Sequence, residues 1–153
     1  MFLYRLILTL AFPVLAGLAM LRLWRGSETR ADLWQRLGYG DSTPGAIWIH
    51  AASNGELTSA RGLIEAVAAA FPDRHLVITA NSTTGRALVQ GWAMPRVTAR
   101  LAPVDYRWAL ARFRQAWQPA ALIVIENELW PNRLVTASEP VICVGARMSA
   151  GSA

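Results

Sequence analysis

The stretch HAASNGEL, residues 50 to 57, sets Glu56 three residues after Ser53. In the S-x-x-E spacing of a capping box, each of those side chains satisfies the other's free backbone N–H at a helix start. A carboxylate in the same place can also take a proton from a substrate hydroxyl. Glu126 closes the apolar run ALIVIE. A carboxylate there cannot stay dry and unpaired without a large penalty, so it is expected to meet N–H groups of a neighbouring loop or helix start. Glu128 follows in the turn before the next helical segment, where its charge suits the helix dipole. NSTTGR, beginning at Asn81, offers backbone N–H groups, hydroxyls and a helix start to an anion, and is otherwise an ordinary loop. Arg147, after the last apolar run, is either an anion partner or half of a surface ion pair. His50 and His75 are the only histidines and assemble no metal triad.

These residues need elements to hold them. AIWIHA (46–51), HLVITA (75–80), VTARLAP (97–103), ALIVIE (121–126) and PVICVGA (140–146) carry the continuous hydrophobicity of strands buried on both faces. Helical spacing fills the intervals in GELTSARGLIEAVAAAF, TTGRALVQGW, YRWALARFRQAW and LWPNRLVTA. Strands alternating with helical crossovers make an α/β fold with an open, parallel, Rossmann-like sheet. Ligands of such sheets collect outside the carboxyl ends of the strands. That edge would gather Ser53, Glu56, Asn81, Ser82, Thr83, Thr84, Asp105, Glu126, Glu128, Asn132 and Arg147. In LWPN, Trp130 is expected to cover the core and Pro131 to occupy the first helical turn. Cys143, inside PVICVGA, is expected as a buried small hydrophobe.

Composition narrows the chemistry. The net charge is +5, and every cationic side chain is Arg. Without Lys there is no Schiff-base or lysine-nucleophile chemistry and no P-loop lysine. One Cys permits neither an intrachain disulfide nor a multi-cysteine metal site. No G-x-G-x-x-G is present, so a dinucleotide pocket is not indicated, and the interleaved aromatic and basic surface of a nucleic-acid binder is missing. The basicity points instead to phosphate groups or an anionic membrane.

Residues 1–25 are expected to form a membrane-anchor helix. Its apolar run Leu6 to Leu21 is roughly 24 Å long as a helix, slightly less than the roughly 30 Å of hydrocarbon, so a short spanning anchor and a deeply embedded monotopic helix both fit. No A-x-A cleavage site follows it. Arg22, Arg25 and Arg30 on its C-terminal side place the remaining chain in the cytoplasm. Residues 26–45 read as a basic membrane-proximal helix, capped by Ser27 and ended at Gly38 to Gly40, with the linker DSTPG leading into a Rossmann-like domain over 46–153.

HAASNGE, TANSTTG, ENELWPN and GARMSAGSA, in this order behind a basic helix ending RLGYG, resemble the N-terminal half of the 3-deoxy-D-manno-octulosonic acid (Kdo) transferases of lipopolysaccharide synthesis. Family patterns of this kind are H-[AS]-x-S-x-G-E, T-x-T-x-T-G, E-T-E-L-W-P-N and N-A-R-[LM]-S. Here Asn54, Thr84, Asn127 and Gly145 depart from them. The resemblance implies the N-terminal, acceptor-side half of an inverting GT-B glycosyltransferase at the cytoplasmic face of the inner membrane. Kdo would pass from CMP-Kdo to a glucosamine hydroxyl of the lipid A precursor, lipid IVA, with no cofactor or metal. It implies Glu56 as general base and Glu126 as transition-state support. Ser53, Asn54, Gly55, Ser82, Thr83, Thr84, Gly85, Glu128, Asn132 and Arg147 become substrate-binding candidates. CMP-Kdo is expected on a C-terminal donor domain that this chain lacks, leaving the chain inactive alone. A membrane-anchored lipid A-binding module without catalysis is the alternative.

Overall fold

A computed structural model describes residues 2–126 and 130–145. Glu128 and Arg147 lie outside the described residues, as does Asn127. The elements run α1 (Phe2–Trp24), α2 (Arg30–Arg36), β1 (Ile47–Ala51), α3 (Asn54–Ala70), β2 (Leu76–Ala80), α4 (Thr83–Gly91), β3 (Val97–Leu101), α5 (Arg107–Trp117), β4 (Ala121–Ile125), α6 (Pro131–Val135) and β5 (Val141–Val144). The five strands form one all-parallel sheet in the order β3-β2-β1-β4-β5.

Alternation along each strand sorts the core into two layers, because successive side chains point to opposite faces. Ile47, Ile49 and Ala51 join Leu76, Ile78, Ile123 and Ile125 beneath Leu57, Ala60 and Ile64 of α3 and Val89 of α4. Trp48, Val77, Leu122 and Val124 face the other way onto Leu110, Phe113 and Trp117 of α5. Burial on both faces is why β1 and β2 carry no alternation of apolar and polar residues. Trp48 Nε1 donates to Thr79 Oγ1 at 2.8 Å, and His50 Nδ1 lies 2.9 Å from the same oxygen. His50 is thus a buried, hydrogen-bonded part of the α5 layer. His75, at the other end of the sheet, has its pKa pulled below 6.5 by burial and by the nearby Arg96 charge.

Three expectations need correcting. Thr29, not Ser27, caps α2: its hydroxyl accepts from Asp32 N–H while the Asp32 carboxylate accepts from Thr29 N–H, a reciprocal capping box. The Ser27 hydroxyl instead bonds the Arg22 carbonyl at the end of α1. Cys143 is exposed, because β5 is the edge strand and both Ile142 and Val141 beside it are also exposed. Trp130 is 41% exposed and does not seal the core. Pro131 does take the first position of α6, where its missing N–H has no intrahelical acceptor to lose.

α2 closes the opposite edge. Gln35 Oε1 accepts from Leu101 N–H at 2.9 Å, giving a partner to a donor on the outer side of β3. Arg36 holds Glu28 through two nitrogens, at 2.9 and 2.7 Å, and donates to the Asn81 carbonyl at 2.9 Å. Asp32 pairs with Arg86 of α4. The turn after α2 requires glycine: Gly38 has φ +86°, and a Cβ there would strike the Ala109 carbonyl of α5. Arg100, buried in β3, turns its guanidinium to the carbonyls of Tyr39 and Asp41 and so fixes that turn to the sheet.

Candidate active site

The strand order reverses at β1. β2 and β3 lie to one side and β4 and β5 to the other, the arrangement in which an open parallel sheet collects ligands at its carboxyl edge. Glu56 comes in the first turn of α3, after β1, and Glu126 directly after β4, the two neighbouring strands at which the order reverses.

Ser53 is the N-cap of α3, and its hydroxyl accepts from Glu56 N–H at 3.2 Å. The return half of a capping box would bring the Glu56 carboxylate to Ser53 N–H. Instead Glu56 Oε2 accepts from Ala52 N–H at 2.7 Å, one residue further back. The carboxylate is therefore drawn off the helix axis and held over the end of β1. Among the described residues, no hydrogen bond occupies Oε1. The side chain is partly exposed. One oxygen fixed and one open is a geometry that can accept a proton from an incoming hydroxyl.

His50 pairs with Val124 in the β1–β4 register. Glu126 lies two residues beyond that pair, just past the end of β4. Glu126 donates its N–H to the Val144 carbonyl at 2.7 Å and then turns out of the strand at φ +56°. An L-residue pays on the order of 1–2 kcal/mol for that conformation. Its side chain is exposed, and among the described residues it accepts no hydrogen bond. The expectation that it pairs with a neighbouring N–H is therefore not met there, and solvent contact removes the penalty that motivated it. Gly145 follows β5 at φ +73°, and a Cβ on it would lie 3.7 Å from Glu126 Cγ. Gly and Asn are the residue types that best tolerate this backbone, which accounts physically for Gly145 standing where the family pattern has Asn.

Ser82 repeats the role of Ser53 on the next strand, capping α4 by accepting from Gly85 N–H at 3.0 Å. Its oxygen lies 3.0 Å from the Thr84 hydroxyl. Gly85 is buried where a Cβ would come within 2.9 Å of Ala80 Cβ and 3.2 Å of Asn54 Oδ1. The SNGE and STTG segments therefore adjoin, with Gly85 permitting the approach. Asn54, Gly55 and Thr84 are exposed, and Thr83 is half-buried.

Residues 31–153 match the family model described as 3-Deoxy-D-manno-octulosonic-acid transferase (kdotransferase). The chain belongs to the Kdo transferase family. It is 32% identical over 160 residues to a probable 3-deoxy-D-manno-octulosonic acid transferase, mitochondrial, of Arabidopsis thaliana, covering 99% of this chain and 36% of that relative. It is 31% identical over 159 residues to the 3-deoxy-D-manno-octulosonic acid transferase of Haemophilus influenzae, covering 99% and 37%. The Bordetella pertussis protein of the same name is 33% identical over 164 residues, covering 94% and 37%. The chain thus spans little more than a third of the length of these relatives.

Within this member of the Kdo transferase family, Asn132 is almost fully buried, and its side-chain N–H donates to the Asp105 carbonyl at 2.6 Å. It acts there as a latch between the β3–α5 and β4–α6 loops. Asp105 is its counterpart. The carboxylate accepts from Asn132 N–H at 3.0 Å and Arg133 N–H at 2.8 Å, capping α6 from a distant part of the chain. It also accepts from the Tyr4 hydroxyl of α1 at 2.6 Å. Sequence reasoning placed Asp105 at the right edge and gave it no role. Its signal was an acid following the third strand, in APVDY, beside the start of α5, whose N-cap Tyr106 makes no side-chain cap bond.

Proposed function

We propose that this chain is the acceptor-side half of a glycosyltransferase that moves Kdo from CMP-Kdo to a glucosamine hydroxyl of the lipid A precursor, lipid IVA. Glu56 is the general base and Glu126 supports the transition state. A sugar hydroxyl attacks only as its proton is removed, and a carboxylate with one anchored and one open oxygen is placed to remove it. Charge that develops at the anomeric carbon as CMP departs is offset by a second carboxylate at the same edge. Ser53, Asn54, Gly55, Ser82, Thr83 and Thr84 form the acceptor-facing wall, and Glu128 and Arg147 are further substrate-binding candidates. Gly85 serves by letting the two loops approach, and Asn132 by holding Asp105. The transfer inverts the anomeric centre and uses no metal. CMP-Kdo sits on a second Rossmann-like domain, and the chain without it does not turn over. The site works at the cytoplasmic face of the inner membrane, held there by α1.

The observation that supports this most is the Glu56 carboxylate bonded to Ala52 N–H instead of Ser53 N–H, because a purely helix-capping glutamate has no reason to leave the N-cap amide. The test is Glu56→Gln in a chain carrying its donor-binding domain. Transfer of Kdo to lipid IVA should fall below detection while binding of the acceptor stays within about twofold. Unchanged turnover would reduce Glu56 to its helix-start role.

A further inference from the structure

Between Arg5 and Arg22 α1 carries no charged residue, and by length and composition Leu3–Trp24 is sufficient to cross a membrane. Its attachments to the rest of the chain say otherwise. Near its N-terminal end the Tyr4 hydroxyl donates to buried Asp105, the Tyr106 hydroxyl donates to the Leu8 carbonyl at 2.7 Å, and Phe12 meets Tyr106 edge-on at 5.8 Å. At its C-terminal end Arg22 pairs with Glu28, which Arg36 in turn fixes to α2 and the Asn81 carbonyl. Tyr4 and Arg22 are about 27 Å apart along the helix, close to the roughly 30 Å of bilayer hydrocarbon. A helix set upright across the bilayer with both attachments intact would carry Asp105, Arg133 and the carboxyl edge of the sheet into the hydrocarbon, where buried charge and irregular backbone are not tolerated.

We infer that α1 lies in the plane of the membrane, half embedded, and that the carboxyl edge of the sheet rests on the lipid surface. The two faces of α1 fit that placement. Tyr4, Arg5, Leu8, Ala11, Ala16, Ala19 and Leu23 are half-buried, the one charge among them on the side away from the stripe, while Leu3, Ile7, Leu10, Val14, Leu18 and Leu21 form an open apolar stripe on the other side. An interfacial helix ordinarily turns a charged face to water. Here the docked loop of residues 103–106 takes the place of that face. Between the two attachments a cavity of about 560 Å³ separates α1 from Leu33, Leu37 and Val104. The occupant of the outer stripe is the acyl region of an anionic bilayer, with Arg22 and Arg25 at the headgroup level. Membrane attachment of α1, as proposed above, is presupposed; the transfer chemistry is not.

The test compares the sides on which the two ends of the chain lie. An epitope tag is placed ahead of Met1, the whole chain is expressed, and sealed vesicles are collected by flotation. Cys143, exposed and the sole cysteine, reports through a membrane-impermeant maleimide which side holds the sheet. Protease removal reports which side holds the tag. The expected result is that both are accessible from the same side. A tag protected on the side opposite Cys143, in a chain that floats, overturns the in-plane placement alone; a chain that does not float overturns the membrane attachment with it. As a second readout, nitroxides at positions 7, 10, 14, 18 and 21 in a Cys143→Ser background should share one immersion depth. A maximum at the middle position would mean that the helix crosses.

Discussion

Glu126 holds a left-handed backbone at the end of a strand, and its side chain is open to solvent. Ala93, Arg96 and Gln118 share the positive φ away from the candidate site, so strain and chemistry at Glu126 have to be separated by substitution. Substituting glycine separates the two contributions, since glycine adopts φ +56° freely and carries no carboxylate. Glu126→Gly should hold or raise the urea midpoint, by up to about 1 kcal/mol of stability. In the chain with its donor domain it should still lower Kdo transfer by on the order of 10²-fold. Glu126→Gln should lose the same activity with no gain in stability. Full turnover in the glycine variant would remove Glu126 from the chemistry.

At the scale of elements, α2 is seven residues long and has little helical stability of its own, so its docking decides whether it forms. Asp32 carries much of that docking. Burial opposes its ionisation, but the Thr29 N–H and the Arg86 guanidinium outweigh burial and hold the carboxyl below its ordinary 3.8. A carboxyl whose folded pKa is lowered contributes stability that is complete above the unfolded value and is lost as pH falls through the folded one. At pH 7, Asp32→Asn should cost on the order of 2–3 kcal/mol, between the values for exposed and buried ion pairs. The gap from wild type should close as pH drops from about 4 toward 2. Denaturant midpoints of both chains across that range check it, and a gap independent of pH would mean that Asp32 acts by packing alone.

The same element shows where sequence reasoning succeeds and where it stops. β1, β2 and β4 were legible because a parallel strand buried on both faces is almost wholly apolar, and the helices between the strands because their period differs. Cys143 was misplaced because an edge strand and a central strand share that composition; only the sheet order tells them apart. Ser27 and Thr29 both stand before a helix, and the reciprocal bond with Asp32 decides for Thr29. SNGE and STTG each pointed to a helix start, but their juxtaposition through Gly85 follows from β1 and β2 pairing in register. The turn of the Glu56 carboxylate toward Ala52 depends on a side-chain torsion that no spacing encodes.

For the molecule as a whole, Asp105 is the point at which three separate parts of the chain meet. Tyr4 is 101 residues away and Asn132 27, so no local pattern could reveal the junction. Its carboxylate joins α1 to the loop after β3, and that loop to the start of α6, whose preceding segment contains Glu126. Removing it leaves the Asn132 and Arg133 N–H groups without their acceptor in a buried place, at about 1–3 kcal/mol for an unsatisfied group. Asp105→Ala should therefore lower stability by at least about 2 kcal/mol. Tyr4→Phe removes a single hydroxyl and should cost about 1 kcal/mol. Because both act through one carboxylate, their effects should not add: the double variant should match Asp105→Ala within roughly 0.5 kcal/mol. Urea unfolding of the four chains completes the cycle. If the losses add in full, α1 is not held through Asp105, and its contacts with Tyr106 at Leu8 and Phe12 are what tie it to the carboxyl edge of the sheet.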